Sequence, residues 1–285
     1  MAGGGEGRGG SVEIDSVVRV DGILAALEHQ GQVSVSELAQ RFGVSAVTIR
    51  KDLHALERRS LLQRVRGGAR AAAPAEEGSF ADRLSRGVAA KKAVARHAAA
   101  LVRNGDVIAL DSSTSAYFLA LELLGHRDLV VVTNSLRSAT VLVEESNATV
   151  VLMGGTIRRT SASTVGDVSE VLSGRGRVAH AFLGLAALSI ERGLLELSVA
   201  EAESKRVIVD AAREVVGLFD SGKADGFGLH SFAATGRVTR LITDTGFSDE
   251  DAARWREEGV QVDRCPVHPG GRHPDEVGAP MVEVG

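Results

Sequence analysis

The chain has 285 residues, 44% of them hydrophobic and 25% charged, with a formal net charge of −4 at pH 7. Those values suit a soluble globular chain with one large domain, or a small domain and a medium one. No apolar run approaches the ~20 residues that span a bilayer, the Gly-rich start lacks an apolar signal core, and the single Cys265 excludes an internal disulfide or a cysteine-rich zinc site. A cytoplasmic protein with no membrane contact is the expectation.

Residues 1–11 are expected to be disordered, and residues 12–70 to form a small helical domain. Ile14, Val17, Val18, Ile23, Leu24 and Leu27 recur at helical spacing and predict a first helix ending near Gly31. Ser36 to Phe42 reads as a short second helix with Leu38, Ala39 and Phe42 on one face. Gly43 breaks it, Val44 turns inward, and Ser45 is a suitable cap for a third helix reaching Arg59. Leu61 to Gly68 alternates and ends in Gly-Gly, the pattern of two short strands or a hairpin arm. An Ala-, Glu- and Pro-rich stretch follows, and a linker is placed at 71–88.

Two helices joined by a tight turn can set the second into a DNA major groove. With Ile49 facing inward, Leu53 and Leu56 share its face, whereas Val47, Arg50, Lys51 and His54 fall opposite. Arg50, with a planar fork, suits bidentate readout of guanine, and Lys51 suits a phosphate. Ser45 and Thr48 are placed to donate to phosphates near the helix start, and Arg64 and Arg66 alternate along the expected wing. Between Arg41 and Arg70 there are eight basic and two acidic residues, so this segment is +6 and the remainder −10. A local basic patch attracts a polyphosphate whatever the total charge.

From 89 to 263 the pattern becomes alternating strands and helices, which implies a mostly parallel sheet covered on both faces. Strands are expected at Val107–Leu110, Leu129–Val132, Thr149–Met153, His180–Gly184, Val215–Phe219, Leu241–Thr243 and Val260–Val262. Helices are expected at Lys91–Val102, Ala116–Leu124, Leu136–Glu145, Glu201–Ala212 and Asp249–Glu258. A loose tail covers 264–285; its His268 and His273 have no metal-site spacing.

The first strand ends in Asp111, followed by Ser112, Ser113, Thr114 and Ser115 before an apolar helix. Hydroxyls beside unpaired backbone N–H groups at a helix start make an anion pocket, although such residues also serve simply as caps. The second strand ends in Thr133, Asn134 and Ser135, the third in Gly154 and Gly155. In an open parallel sheet the carboxyl ends of the strands line the ligand crevice, so one polar site is expected there. The strand–helix turns of this region hold no Gly-x-Gly-x-x-Gly and no complete P-loop, which disfavours a dinucleotide or ATP; no cofactor is expected. Lys223, beside Ser221 at a strand end, is suited to neutralise a phosphate, whereas Lys205 taken alone reads as an exposed lysine without a role.

Two sets of motifs resemble the DeoR family of bacterial regulators. The first runs from Val35 through Phe42-Gly43-Val44-Ser45 and Thr48-Ile49-Arg50-Lys51-Asp52-Leu53 to Arg64-Val65-Arg66-Gly67-Gly68-Ala69. The second comprises Leu110-Asp111-Ser112-Ser113-Thr114, Val131-Val132-Thr133-Asn134-Ser135, Leu152-Met153-Gly154-Gly155, Phe182-Leu183-Gly184, Glu201-Ala202-Glu203-Ser204-Lys205-Arg206 and Asp220-Ser221-Gly222-Lys223. The resemblance implies a winged helix-turn-helix joined to a larger α/β sensor domain similar to ribose-5-phosphate isomerase. It further implies a double-stranded DNA operator, a phosphorylated sugar or related effector, and a site including Glu201, Lys205 and Lys223. Three departures from the family pattern stand out. Ser112-Ser113 replaces Ala-Gly, Leu185-Ala186-Ala187 lacks the usual strand-end aspartate, and Leu195-Glu196 replaces a threonine pair. They predict a more apolar, less hydroxylated site.

The function expected is that of a ligand-controlled regulator, a repressor, built as a homodimer or homotetramer because dimers match two-fold half-sites. The rival is a sugar-phosphate isomerase with an appended DNA-binding module, in which Asp111 and Glu201 would be bases and Lys223 the cation. A third reading makes the large domain an oligomerisation platform with an empty pocket.

Overall fold

The computed structural model describes residues 16–58, 62–71, 78–166 and 178–267. The expectations for residues 1–11, for Ile14 and the Val17 side chain, for Arg59 and Leu61, and for the tail beyond 267 lie outside the described residues. The chain divides into two compact units, Met1–Ala75 and Glu76–Gly285.

The first unit holds α1 (Ser16–Gln30), β1 (Gln32–Ser34), α2 (Val35–Phe42), α3 (Ala46–Arg58), β2 (Leu62–Val65) and β3 (Gly68–Ala71). Ser34 caps α2 by accepting the Glu37 N–H at 3.1 Å. Gly43 ends that helix at φ 64°, ψ 27°, with its N–H turned back to the carbonyls of Ala39 and Gln40. A left-handed conformation at this point favours glycine. Ser45 then accepts the Thr48 N–H at 3.1 Å and starts α3. Strands β1, β3 and β2 form an antiparallel sheet in that order, with Arg66 and Gly67 between Val65 and Gly68 as the turn. Ile23, Leu27, Leu38, Ile49, Leu53, Leu56 and Leu62 are buried together as the unit's apolar interior. The strand β1 was not predicted: three residues carry too little alternation to read, and their partner strand lies more than thirty positions further on.

The second unit begins with α4 (Phe80–Ser85) and α5 (Val88–Ala99). Both start inside the stretch expected to be a linker. Ser79 and Asp82 form a reciprocal capping box, a local signal that was present in the sequence. There follow β4 (Val107–Leu110), α6 (Thr114–Glu122), β5 (Val130–Thr133), α7 (Leu136–Glu145), β6 (Thr149–Leu152), β7 (Thr156–Arg158) and β8 (Ser163–Val165). After the undescribed residues come β9 (Val178–Gly184), β10 (Ala187–Ser189), β11 (Gly193–Glu196), α8 (Val199–Ala211), β12 (Ala212–Leu218), β13 (His230–Ala233), β14 (Arg240–Asp244), α9 (Asp249–Glu257) and β15 (Gln261–Cys265).

Among the described residues, β15, β14, β12, β9, β4, β5 and β6 form one sheet in that order, and every pairing in it is parallel. Ile108 and Leu110 of β4 pack with Val94, Ala98, Leu119 and Leu142 of the helices, while Ala109 joins Ala202, Ile208 and Trp255 in a second cluster. Strands buried on both faces explain the near-continuous apolar runs. Two small antiparallel additions, β7–β8 and β10–β11–β13, were not anticipated, because their residues lie in short stretches between stronger signals.

Candidate functional site

Helix α3 presents two faces with different chemistry. Ile49 and Leu53 are wholly buried and Leu56 nearly so, whereas Arg50, Lys51 and His54 are exposed. Val47, a large apolar side chain, is 58% exposed beside them. The hydroxyls of Ser45 and Thr48 lie 2.9 Å apart at the helix start. Asp52 does not dilute this cationic face, because its carboxylate holds Arg19 at 2.6 Å in a largely buried pair. His54 Nδ1 is 3.6 Å from Glu57 Oε2, a loose neighbour. Arg64 is exposed on β2, and Arg66 is exposed in the turn, where strand alternation no longer governs its direction. The residues expected to touch DNA therefore fall on an exposed helix and its wing.

In the second unit a cavity of about 260 Å³ opens at the carboxyl ends of β4, β9 and β12. Ser112, Ser113, Thr114 and Ser115 line it at the start of α6, together with Glu201, Lys205 and Lys223. Ser113 accepts the Ala116 N–H at 3.1 Å and caps the helix. Gly184, at the end of β9, lets this turn come close: a Cβ there would collide with the Ser113 side chain.

Two charge clusters face the cavity. In the first, Lys205 is 3% exposed, so the expectation of an exposed, idle lysine is corrected. Its ammonium contacts Asp111 Oδ2 at 2.9 Å, donates to the Gly184 carbonyl at 2.9 Å and pairs with Glu196. Burial alone would depress the Lys205 pKa, but the charges of Asp111 and Glu196 outweigh that and raise it above its ordinary value. Asp111 itself is fully buried; Oδ1 accepts the Ser113 N–H at 3.1 Å and Oδ2 the Gly184 N–H at 2.9 Å. Glu201 accepts hydroxyls from Ser161 and Ser163, each at 2.6 Å, and from Ser112 at 3.0 Å. Burial pushes its carboxyl up, yet those hydrogen bonds and Lys205 hold it below the usual range.

The second cluster is cationic. Arg83, Arg86, Lys91 and Lys223 line the cavity with Asp220 as the acidic partner among them. Lys91 donates to the carbonyls of Arg83 and Arg86 at 2.6 and 2.7 Å. Burial lowers its pKa to about 8, against the pull of Asp220 and with help from Lys223, Arg83 and Arg86. Sequence reasoning missed Arg83, Arg86 and Lys91 because a linker was assigned to the stretch that holds the first two.

The structure does not bring every expected residue to this cavity. Thr133, Asn134, Ser135, Gly154 and Gly155 do not line it, and neither does Asp111, which lies wholly buried behind Lys205. Thr133 Oγ1 accepts the Ser135 N–H at 3.0 Å, and Asn134 Nδ2 donates to the Thr164 carbonyl at 3.2 Å, so this strand end is engaged in holding β8. Glu196 was noted only as a departure, yet it is 4% exposed at the cavity wall. The cavity wall thus carries the charges of Glu196, Glu201, Lys205 and Lys223 beside the hydroxyls of Ser112, Ser113, Thr114 and Ser115.

A helix-turn-helix with a basic wing, in one chain with a parallel α/β unit carrying a polar strand-end cavity, defines a DNA-binding regulator with a sensor domain. The family description "DeoR-like helix-turn-helix domain" matches residues 19–75, and "DeoR C terminal sensor domain" matches residues 86–245. The chain belongs to the DeoR family of transcription regulators. It is 31% identical to the HTH-type transcriptional regulator GolR of Listeria innocua, over 86% of this chain and 96% of that one. It is 34% identical to the HTH-type transcriptional regulator GlpR of Haloferax volcanii, over 80% and 90%. The glycerol-3-phosphate regulon repressor of Escherichia coli K12 is 29% identical over 81% and 90%. Among solved structures, ribose 5-phosphate isomerase A of Neisseria gonorrhoeae aligns with 48% of this chain and 53% of its own, at 14% identity and a TM-score of 0.35. A likeness that low carries no argument. No helix among the described residues is long and apolar enough to cross a membrane.

Proposed function

We propose that the protein is a cytoplasmic repressor whose operator affinity is set by a phosphorylated polyol bound in the cavity of the second unit. One observation carries the reading: the start of α6, where Ser112, Ser113, Thr114 and Ser115 form the wall, shares a cavity with Arg83, Arg86, Lys91 and Lys223. A helix start beside several cations favours a phosphate over any neutral group. The exposed face of α3, with Val47, Arg50, Lys51 and His54, and the wing residues Arg64 and Arg66 would meet the duplex, with Ser45 and Thr48 near a phosphate.

Release from DNA needs a coupling of only ~1–3 kcal/mol between effector and operator sites. A homodimer or homotetramer fits, since paired half-sites call for paired reading heads. The proposed domain boundaries are 12–70 for the DNA-binding part and 89–263 for the sensor, with α4 and α5 adding to the sensor from the linker side.

Catalysis is the weaker reading for a specific reason. A general base needs a free lone pair within reach of the substrate proton. Asp111 is enclosed by Ser113, Gly184 and Lys205, and Glu201 by Ser112, Ser161 and Ser163. Asp111 is wholly buried and off the cavity wall, and Glu201 is held below its ordinary pKa, which makes both poor bases.

The test is a mobility-shift titration of the full chain on DNA from upstream of its own gene, with added glycerol 3-phosphate, fructose 1-phosphate and ribose 5-phosphate. Retention on that DNA and release by at least one of them is expected. Retention unaffected by any phosphorylated polyol, together with no thermal shift, would favour the empty-platform reading instead.

A further inference from the structure

Placing a phosphate among the cations leaves the other cluster of the same cavity to meet the rest of the ligand. Glu196 Oε1 accepts the Leu197 N–H at 3.0 Å, and Oε2 takes the Lys205 ammonium. Each carboxylate oxygen can accept two hydrogen bonds, so both keep one open position. Lys205 is already engaged: it donates to Glu196 and Gly184 and is ion-paired with Asp111. Around it, the carboxylates of Asp111, Glu196 and Glu201 outnumber the nearby cations, Lys205 and the Arg158 guanidinium 3.4 Å from Glu201. This end of the cavity offers acceptors and surplus negative charge in a region where water screens little.

We infer that Glu196 selects the class of effector: a polyol carrying a single phosphate and a neutral, hydroxyl-bearing far end, with bisphosphates and phosphorylated carboxylates rejected. A ligand hydroxyl donates into the open positions on Glu196. A second phosphate or a carboxylate brings like charges together and leaves acceptors facing acceptors. The inference rests on the phosphate position proposed above.

The experiment is calorimetric titration of the full-length protein with matched pairs: glycerol 3-phosphate against 3-phosphoglycerate, and fructose 1-phosphate against fructose 1,6-bisphosphate. Inorganic phosphate is the reference. In each pair that binds, the member with one anionic group should bind at least about tenfold tighter, a difference of about 1.4 kcal/mol. Glu196→Gln keeps the shape and removes the charge, and should narrow that ratio by about tenfold while the affinity for inorganic phosphate moves far less. Equal or tighter binding of the doubly anionic member by the unaltered protein would overturn the inference, and so would an unchanged ratio in a folded Glu196→Gln protein. If the variant fails to fold, the ratio measured on the unaltered protein decides alone. Inorganic phosphate binding with the wrong preference condemns only the role of Glu196; no binding by any of the five compounds, phosphate included, condemns the site reading beneath it.

Discussion

Lys205 Nζ sits 2.9 Å from Asp111 Oδ2, joining the end of the first strand of the parallel sheet to a helix more than ninety residues further along the chain. With Glu196 on its other side, this buried lysine ties α8 to the ends of β4, β9 and β11.

Removing that lysine leaves two buried carboxylates without their cation. Lys205→Met should destabilise the second unit by about 3–5 kcal/mol, the cost of breaking a buried pair from one side. Urea unfolding followed by circular dichroism measures it. A loss under ~1 kcal/mol would mean the charges are better solvated than their burial indicates.

Acid should attack the same region. Glu201 is held below its ordinary pKa by Ser161, Ser163, Lys205 and Ser112 against the upward push of burial. A carboxyl depressed in the folded state stabilises above its unfolded pKa, about 4.3, and that contribution is lost as pH falls through the folded value. Thermal melts between pH 3 and 6 should therefore drop more steeply for the natural protein than for Glu201→Gln, which is less stable near neutrality but has no such proton to take up.

On DNA, Arg50→Ala and Arg64→Ala should behave differently. The first should relax base preference at one position, costing about 1–3 kcal/mol on the preferred operator and little on scrambled DNA. The second should weaken both DNAs alike and lower the salt slope by about 1. Operator selectivity surviving in Arg50→Ala would place the reading face elsewhere on α3.

Asp52 provides a control on the same helix. It pairs with Arg19, which is 8% exposed, rather than facing outward with Lys51. Asp52→Ala should lower the melting temperature of the DNA-binding unit through that lost partner. A gain in DNA affinity from the removed negative charge, with no loss of stability, would contradict the pairing.

At the effector site, Lys223→Ala should weaken binding of inorganic phosphate and of phosphorylated polyols by about tenfold, which corresponds to one charge-assisted contact. More effector should then be needed to release the protein from DNA in a mobility-shift titration. An unaltered release curve would take Lys223 out of the site.

Features that depend on neighbours a few positions apart are legible in the chain before it folds. Ile49, Leu53 and Leu56 against Val47, Arg50, Lys51 and His54 follow from a period of 3.6, and the structure buries the first set and exposes the second. The apolar runs of β4, β5, β9 and β12 follow from burial on both faces of a parallel sheet, and the capping residues Ser45 and Ser113 from unpaired N–H groups at helix starts. The site itself came into view only through contacts between distant segments. Lys205 looks like any helical lysine until Asp111, Gly184 and Glu196, from three other segments, close around it. Asn134 looks like a ligand residue until β8 takes its hydrogen bond, and Thr133 until its hydroxyl accepts the Ser135 N–H. Whether a polar side chain serves a ligand or the fold depends on which partners the chain's return brings within about 3 Å, and no local periodicity records that distance.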